Sequence, residues 1–434
     1  MNESMNEGSR RAGTQKVVVP YGEQTKTLSI PAENLAWVVG PKDEPPLNNL
    51  RDDVLKAIRE PIGSPTLAEL VKRHGTKTII LVDDGTRSTP QAAILPVLID
   101  ELNTVGVPDR DITILIALGM HRPMSEDECI ARYGQEVVGR VRVENLSQDA
   151  NDFVDLGVTP RGVPIFVSRL YLESNISIAV GNIVPHMYAG WAGGAKMIQP
   201  GITSPETTAK THLMAGTRVY EILGQVNNPV RLEMEEIAIK SGLKFIVNVV
   251  LNRRGQVVDV VAGDVVAAHR AGVDIARPIY TVEIDEKPDI VIASSHPADR
   301  DLWQGIKPIN NCGMLVKNAG TLILLTPASE GIAPDHQEFV ELGTTPAGKV
   351  LEMVDNGQIV DGVAAATSLA LDQTRKRVSI SIVTETISND QAGRIGLTAT
   401  QDFQQALSRA LAHHGNQARI GVVTCGGDIM GRFR

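Results

Sequence analysis

The sequence predicts an α/β protein of two wound α/β domains with a ligand-binding cleft between them. Three observations lead there. Short apolar runs recur and break into polar or glycine-rich loops: Thr78–Val82 before Asp83-Asp84-Gly85, 112–117 before Leu118-Gly119-Met120-His121, and 176–180 before a long glycine run. Helical stretches separate these runs, and strand, loop, helix and strand in succession is how a parallel wound sheet reads. A second series of the same form begins beyond residue 285.

Taken in order, residues 1–14 are polar and read as a disordered tail. Residues 15–282 form the first, cofactor-binding α/β domain. Within it, 17–39 alternates as short strands interrupted at Tyr21-Gly22 and Pro31, and 50–59 reads as a helix. Thr78–Val82 is a strand. Residues 90–104 then read as a helix, with Ser88 or Thr89 as N-cap and Pro90 in the first position, where its missing N–H is no loss. Residues 283–287 connect to a smaller α/β domain, 288–434. Its strands read at 288–295, 320–327, 377–383 and 419–424, the last two each following a helical stretch. Ligands of wound sheets collect at the carboxyl ends of strands. The polar motifs of the first domain all lie at such ends, so the cleft is the expected seat of cofactor and substrate.

Composition excludes several classes. A chain of 434 residues with 42% hydrophobic and 21% charged side chains is an ordinary globular protein with an ample core. A net charge of −9 argues against nucleic acid as a partner. No apolar stretch reaches the ~18 residues of a membrane span, and the N-terminus has no apolar signal core. Cys129, Cys312 and Cys425 are dispersed and odd in number, which fits a reduced, cytoplasmic setting and no disulfide framework. Cys312 and Cys425 read most simply as buried apolar residues.

The glycine run carries the chemistry. It extends from Gly181 to Gly201 with five glycines in 21 residues. Such density suits tight turning or close approach of a ligand, not a helix or strand. His186, Lys196 and His212 stand in and beyond it, 10 and 16 residues apart. They supply a proton carrier, a nucleophile and a metal ligand. The run is no P-loop: Ala195 replaces a required glycine and Met197 the magnesium-binding hydroxyl. No GxGxxG follows a strand, and neither HExxH nor GxSxG occurs. His74, His269, His413 and His414 belong to no motif and read as ordinary surface or core residues. Asp335-His336 reads equally well as cleft wall or as plain structure.

Four segments, in order, resemble the nickel-pincer 2-hydroxy-acid racemases, the lactate racemase-like family, over roughly residues 15 to 425. They are Asp84-Gly85-Thr86-Arg87, then His121-Arg122-Pro123, then Pro185-His186 through Ala189-Gly190-Trp191-Ala192-Gly193-Gly194-Ala195-Lys196 to Pro200-Gly201, and finally His212. The resemblance implies a racemase or epimerase that inverts C2 of a 2-hydroxy acid. Its cofactor would be a nickel-pincer nucleotide, pyridinium-3-thioamide-5-thiocarboxylic acid mononucleotide, with Ni(II). Lys196 would bind it covalently and His212 would ligate nickel, for which imidazole is a suitable donor. Asp84, Thr86, Arg87, Gly193 and Gly194 would lie at the cofactor, with Arg87 also a candidate for the substrate carboxylate. His121 and His186 would be the catalytic bases, both expected to titrate near neutral. One removes the hydroxyl proton as C2 gives up a hydride, and return of the hydride to the other face inverts the centre. The partners implied are a small-molecule 2-hydroxy acid and the proteins that make the cofactor.

One stretch departs from the family pattern. Ser295-His296-Pro297-Ala298-Asp299 stands where the family has a Tyr-Pro-Lys-Asp-like segment, so a lysine becomes Ala298. Trp191 and Ala192 replace Phe-Ser. The substrate pocket is therefore expected to favour a longer 2-hydroxy acid or a sugar acid over lactate, with Ser295, His296 and Arg300, or Lys307, reading its added groups. Two other classes compete. An NAD-dependent 2-hydroxy-acid dehydrogenase would bind exchangeable NAD. A non-catalytic nucleotide- or cofactor-binding protein would turn over no hydroxy acid.

Overall fold

A computed structural model describes residues 13–434. The expected tail lies outside the described residues up to position 12, and Thr14 already opens a strand. Two six-stranded sheets organise the rest. In the first, the order is Val257–Gly263, Phe245–Leu251, Ile176–Asn182, Thr78–Val82, Ile112–Ile116 and Arg142–Asn145. All pair in parallel except Val257–Gly263, antiparallel at one edge. The strands Phe245–Leu251, Ile176–Asn182 and Thr78–Val82 are buried along their whole length, as helix-covered parallel strands must be.

The second sheet is wholly parallel, in the order Thr398–Thr400, Ser379–Val383, Thr321–Leu325, Ile290–Ser294, Ile420–Val423 and Leu35–Val39. Residues 15–39, which sequence alone groups with the first domain, thus join the second in space. The hairpin of Thr14–Tyr21 and Gln24–Pro31 lays Val17, Val19, Leu28 and Ile30 against Ile290, Ile292, Ile323 and Leu325. A lone hairpin is marginal in water and is stabilised by covering such a face. The connector is partly a strand, since Thr281–Ile284 pairs with Met430–Phe433. The helix expected at 90–104 runs Gln91–Thr104 with Pro90 as its N-cap and no side-chain cap. Thr89 spends its hydroxyl on Asp83 instead.

Chain order creates the site. The first sheet grows outward from Thr78–Val82 in one direction and from Ile176–Asn182 in the other. Connections leaving oppositely from adjacent strands open a crevice at their carboxyl ends. The second sheet has its own reversal between Ile290–Ser294 and Ile420–Val423. The helix Pro205–Gly216 of the first unit packs on Gly362–Arg375 of the second. A Cβ on Gly216 would stand 2.7 Å from the Ala366 carbonyl oxygen, so only glycine permits this approach. No helix among the described residues is long and apolar enough to cross a membrane.

Candidate active site

One cavity collects loops from both reversal points. The first unit contributes Asp84, Thr86, Arg87, His121 and His186, with Gly193, Lys196 and His212. The second contributes Ala298, Trp303, Gln304, Lys307, His336 and Asp428. Asp84, Thr86, Arg87, Gly193, His121, His186, Lys196 and His212 are therefore brought together as the sequence motifs suggest. Gly194 lies just behind the wall, its N–H donating to Asn248 Oδ1 at 2.8 Å.

The adjacent aspartates at the end of Thr78–Val82 have different tasks. Asp83 is engaged by Thr89 Oγ1, by Gln91 Nε2 at 3.0 Å and by Arg132 Nη2 at 2.7 Å. It anchors the loop. Asp84 turns into the cavity, where His121 Nδ1 lies 2.7 Å from its Oδ2. Its Oδ1 accepts from the Thr86 N–H at 3.2 Å and the Thr86 hydroxyl at 2.5 Å. Burial works to raise the Asp84 carboxyl. The charge and hydrogen bond of His121, then Arg87 and Thr86, outweigh it and hold the group well below the usual carboxylate range. As an anion, Asp84 accepts the Nδ1–H of His121, which makes Nε2 the acceptor nitrogen of the ring. Gln304 Nε2 donates to that atom at 3.3 Å.

The glycine run is held rigidly from behind. Pro185–His186 and Gly190–Trp191 pair as a minimal hairpin. At Gly190, φ is +76° and a Cβ would fall 1.9 Å from the Gln225 carbonyl oxygen. The fully buried Arg231 donates to the Ala189 carbonyl at 3.4 Å, to Gly193 at 3.2 Å, and to Trp191. His269, read from sequence as surface or core, is a core residue whose Nε2 contacts the Ala192 carbonyl at 2.9 Å. A loop carrying reactive groups is thus fixed by partners that never reach the cavity.

Electrostatics prepares three side chains. Burial, then the cations Arg87, Arg231 and Lys307, push the Lys196 amine well below its ordinary value. The neutral amine is the nucleophilic form. Burial and the nearby Lys196 bring His212 down to about 3. Its Nδ1 donates to the Thr208 carbonyl at 2.9 Å, which presents the Nε2 lone pair. This is the tautomer and orientation of a metal-ligating histidine. His186 is pushed well below its ordinary value by burial and then by Lys196, Lys307 and Arg87. The expectation that both catalytic histidines titrate near neutral therefore fails for His186: a sealed site already holding several cations disfavours another. Its Nδ1 accepts from the Tyr188 N–H at 3.2 Å, which puts its own proton on Nε2.

Of the residues proposed to read the substrate, Arg87 and Lys307 line this cavity, whereas Ser295, His296 and Arg300 do not. Ser295 Oγ is buried and without a partner among the described residues. His296 lines an adjoining opening with Arg253 and Arg254, its Nδ1 at 3.3 Å from Asp299 Oδ2. Arg300 pairs with Asp301 at 3.0 Å and Glu330 at 3.3 Å. Ala298 does line the cavity, yet an ammonium is still present, because Lys307 enters from the helix Leu302–Gly313 and pairs with Asp428 at 2.8 Å. The motifs gave no sign of Trp303 or Gln304. Their spacing of four and three from Lys307 on one helix, which places all three on a common face, was the available signal.

Among the described residues, 21–221 match the lactate racemase N-terminal domain family. The lactate racemase of Lactiplantibacillus plantarum is 27% identical over 430 residues, covering 94% of this chain and 97% of that protein. The lactate racemase of Thermoanaerobacterium thermosaccharolyticum is 27% identical over 432 residues, covering 96% and 99%. The solved apoprotein from that organism superposes with a TM-score of 0.85 at 26% identity, over 96% of this chain and 100% of the other. A Thermotoga maritima protein, 18% identical, shares the fold with a TM-score of 0.68 over 91% and 100%.

Proposed function

This chain is a lactate racemase-like isomerase, and from that premise we propose that it inverts C2 of a 2-hydroxy acid with the help of a covalently held nickel-pincer nucleotide. The observation that supports this most is the gathering of a buried lysine amine, a histidine with Nε2 free and Nδ1 locked, and two further histidines around one cavity. The residues fit the group. Among the described residues no three His, Cys, Asp or Glu side chains are grouped to hold a metal, so most donors to nickel would come from the organic ligand and one from His212. Lys196 would carry the nucleotide through a thioamide, with Thr86 and the backbone at Gly193 and Gly194 along its ribose and phosphate. When bound, the group supplies a hydride acceptor.

The chain's own residues orient substrate and move protons. Arg87 is in no ion pair among the described residues, and its guanidinium suits a carboxylate. His121 Nε2, backed by Asp84, takes the hydroxyl proton of one enantiomer. On the other side His186 would hand a proton to the oxygen from its imidazolium form, leaving the neutral ring, and the two histidines exchange these roles in the reverse direction. The substrate is proposed to be larger than lactate, given the room beside Ala298. The free, buried cysteines suit a reducing cytoplasm. The test uses protein produced alongside the cofactor pathway. A single enantiomer in deuterium oxide should invert with its C2 hydrogen retained, and the mass adduct should map to Lys196. Deuterium washed into C2, or an adduct on another lysine, defeats the reading.

A further inference from the structure

A second carboxylate–histidine pair faces the same cavity, and the chemistry above leaves it without a task. His336 Nδ1 lies 2.6 Å from Asp361 Oδ2. Asp361 caps the helix Gly362–Arg375, its Oδ1 accepting from the Val363 and Ala364 N–H groups at 3.0 and 2.9 Å. The helix end fixes the carboxylate, and the carboxylate fixes the imidazole as its Nδ1–H tautomer. The ring is also stacked on Trp303, with centroids 3.9 Å apart and planes at 13°. His336 is only 4% exposed, and it lines the cavity. Its Nε2 has no hydrogen-bond partner among the described residues, and it is not one of the sealed unpartnered atoms such as Ser295 Oγ and Thr326 Oγ1. The Nε2 lone pair therefore opens on the cavity. Ring plane, tautomer and direction are all set for accepting a hydrogen bond there.

Charge selects what donates to it. Lys307 is matched by Asp428, His121 by Asp84 and His336 by Asp361. Arg87 is the one guanidinium of the cavity wall and has no acid partner among the described residues. The cavity is thus equipped for a single carboxylate. A second carboxylate would meet an acceptor nitrogen with an anion behind it, whereas a hydroxyl would donate to that nitrogen. Resting on the racemase reading, we propose that His336 is a specificity residue that accepts a hydrogen bond from a substrate hydroxyl beyond C2. The preferred substrates are then polyhydroxy monocarboxylic acids.

The test compares holoenzyme on glycerate and a longer aldonate, which carry such a hydroxyl, with 2-hydroxybutanoate, which does not, and with malate, which has a second carboxylate. Wild type should favour the hydroxylated monocarboxylates. His336→Phe keeps the stack on Trp303 but removes the acceptor. It should lower kcat/KM for glycerate and the aldonate by roughly 10- to 100-fold, the usual result of stranding a buried donor, and leave 2-hydroxybutanoate nearly unchanged. Asp361→Asn retains a helix cap, but with its oxygen held by the Val363 and Ala364 N–H groups its NH2 turns to Nδ1 and drives the ring proton to Nε2, so it should lower kcat/KM for the same two substrates to a similar degree. Nickel and adduct content, measured on each variant, normalise the rates. Equal losses on all substrates, or malate as the best substrate of wild type, overturn this inference alone. A loaded wild type that inverts none of the acids overturns the racemase reading and this with it.

Discussion

Replacing Asp84 with asparagine isolates the proton-handling part of the site. The side chain keeps its shape but loses its charge, and Thr86 decides which way the new amide points. The backbone N–H and hydroxyl of Thr86 both donate to Oδ1, at 3.2 and 2.5 Å. They hold the amide oxygen, so the NH2 turns toward His121, where Oδ2 now accepts at 2.7 Å. An NH2 facing Nδ1 requires a lone pair there and drives the imidazole proton to Nε2. His121 can then no longer accept the substrate hydroxyl proton. The lost charge-assisted bond alone is worth about 1.5–3 kcal/mol, and the wrong tautomer removes a general base, so kcat should fall by about 10²–10⁴. The assay is the initial rate of inversion normalised to nickel and to the Lys196 adduct, which separates chemistry from cofactor loading. A variant within about threefold of wild type per loaded site, far below the general-base range, refutes the assignment of Asp84 to His121.

His212→Ala should strip most of the nickel while the organic adduct on Lys196 persists, because it removes a single donor from the metal and leaves the amine untouched; unchanged nickel by elemental analysis counts against it as ligand. Gly190→Ala places a Cβ 1.9 Å from a backbone oxygen at φ +76°, and should destabilise by about 3 kcal/mol or more in urea titrations. Gly85→Ala, with nothing within 4 Å, should stay within about 0.5 kcal/mol of wild type, and equal effects would contradict the packing described. The apo-protein should lose stability on acidification below about pH 6.5. His186, His212 and His269 all have folded values depressed by burial. The unfolded chain therefore takes up protons that the folded one refuses. The stability is complete above the unfolded value of 6.5 and drains as pH falls toward the folded values, by up to about 1.4 kcal/mol per unit for each group. For His212, between 6.5 and about 3, this sums to roughly 5 kcal/mol. Urea midpoints that are flat from pH 7 to 5 would rule this out.

The sequence by itself determined what consecutive residues can write. Apolar runs that end in polar loops placed the strands Thr78–Val82, Ile112–Ile116 and Ile176–Asn182, and the wound architecture follows from their alternation with helices. The resemblance of four motifs to one family named Asp84, His121, His186, Lys196 and His212, all of which line the cavity. The tertiary structure decided everything that depends on long-range neighbours. Leu35–Val39 joins the second sheet because its partner Ile420–Val423 lies almost 400 residues away in the chain. Asp83 and Asp84 are alike in sequence, and only Arg132 and Gln91 on one side and His121 on the other separate anchor from active group. Ser295, His296 and Arg300 follow a strand end, as the other motifs do, but do not line the cavity. Trp303 and Gln304 enter it without any motif, and the fold alone decides between the alternatives left open for Lys307 and His336. Protonation states were decided last of all: desolvation and the summed charge of groups from several loops set them, and no single segment contains that sum.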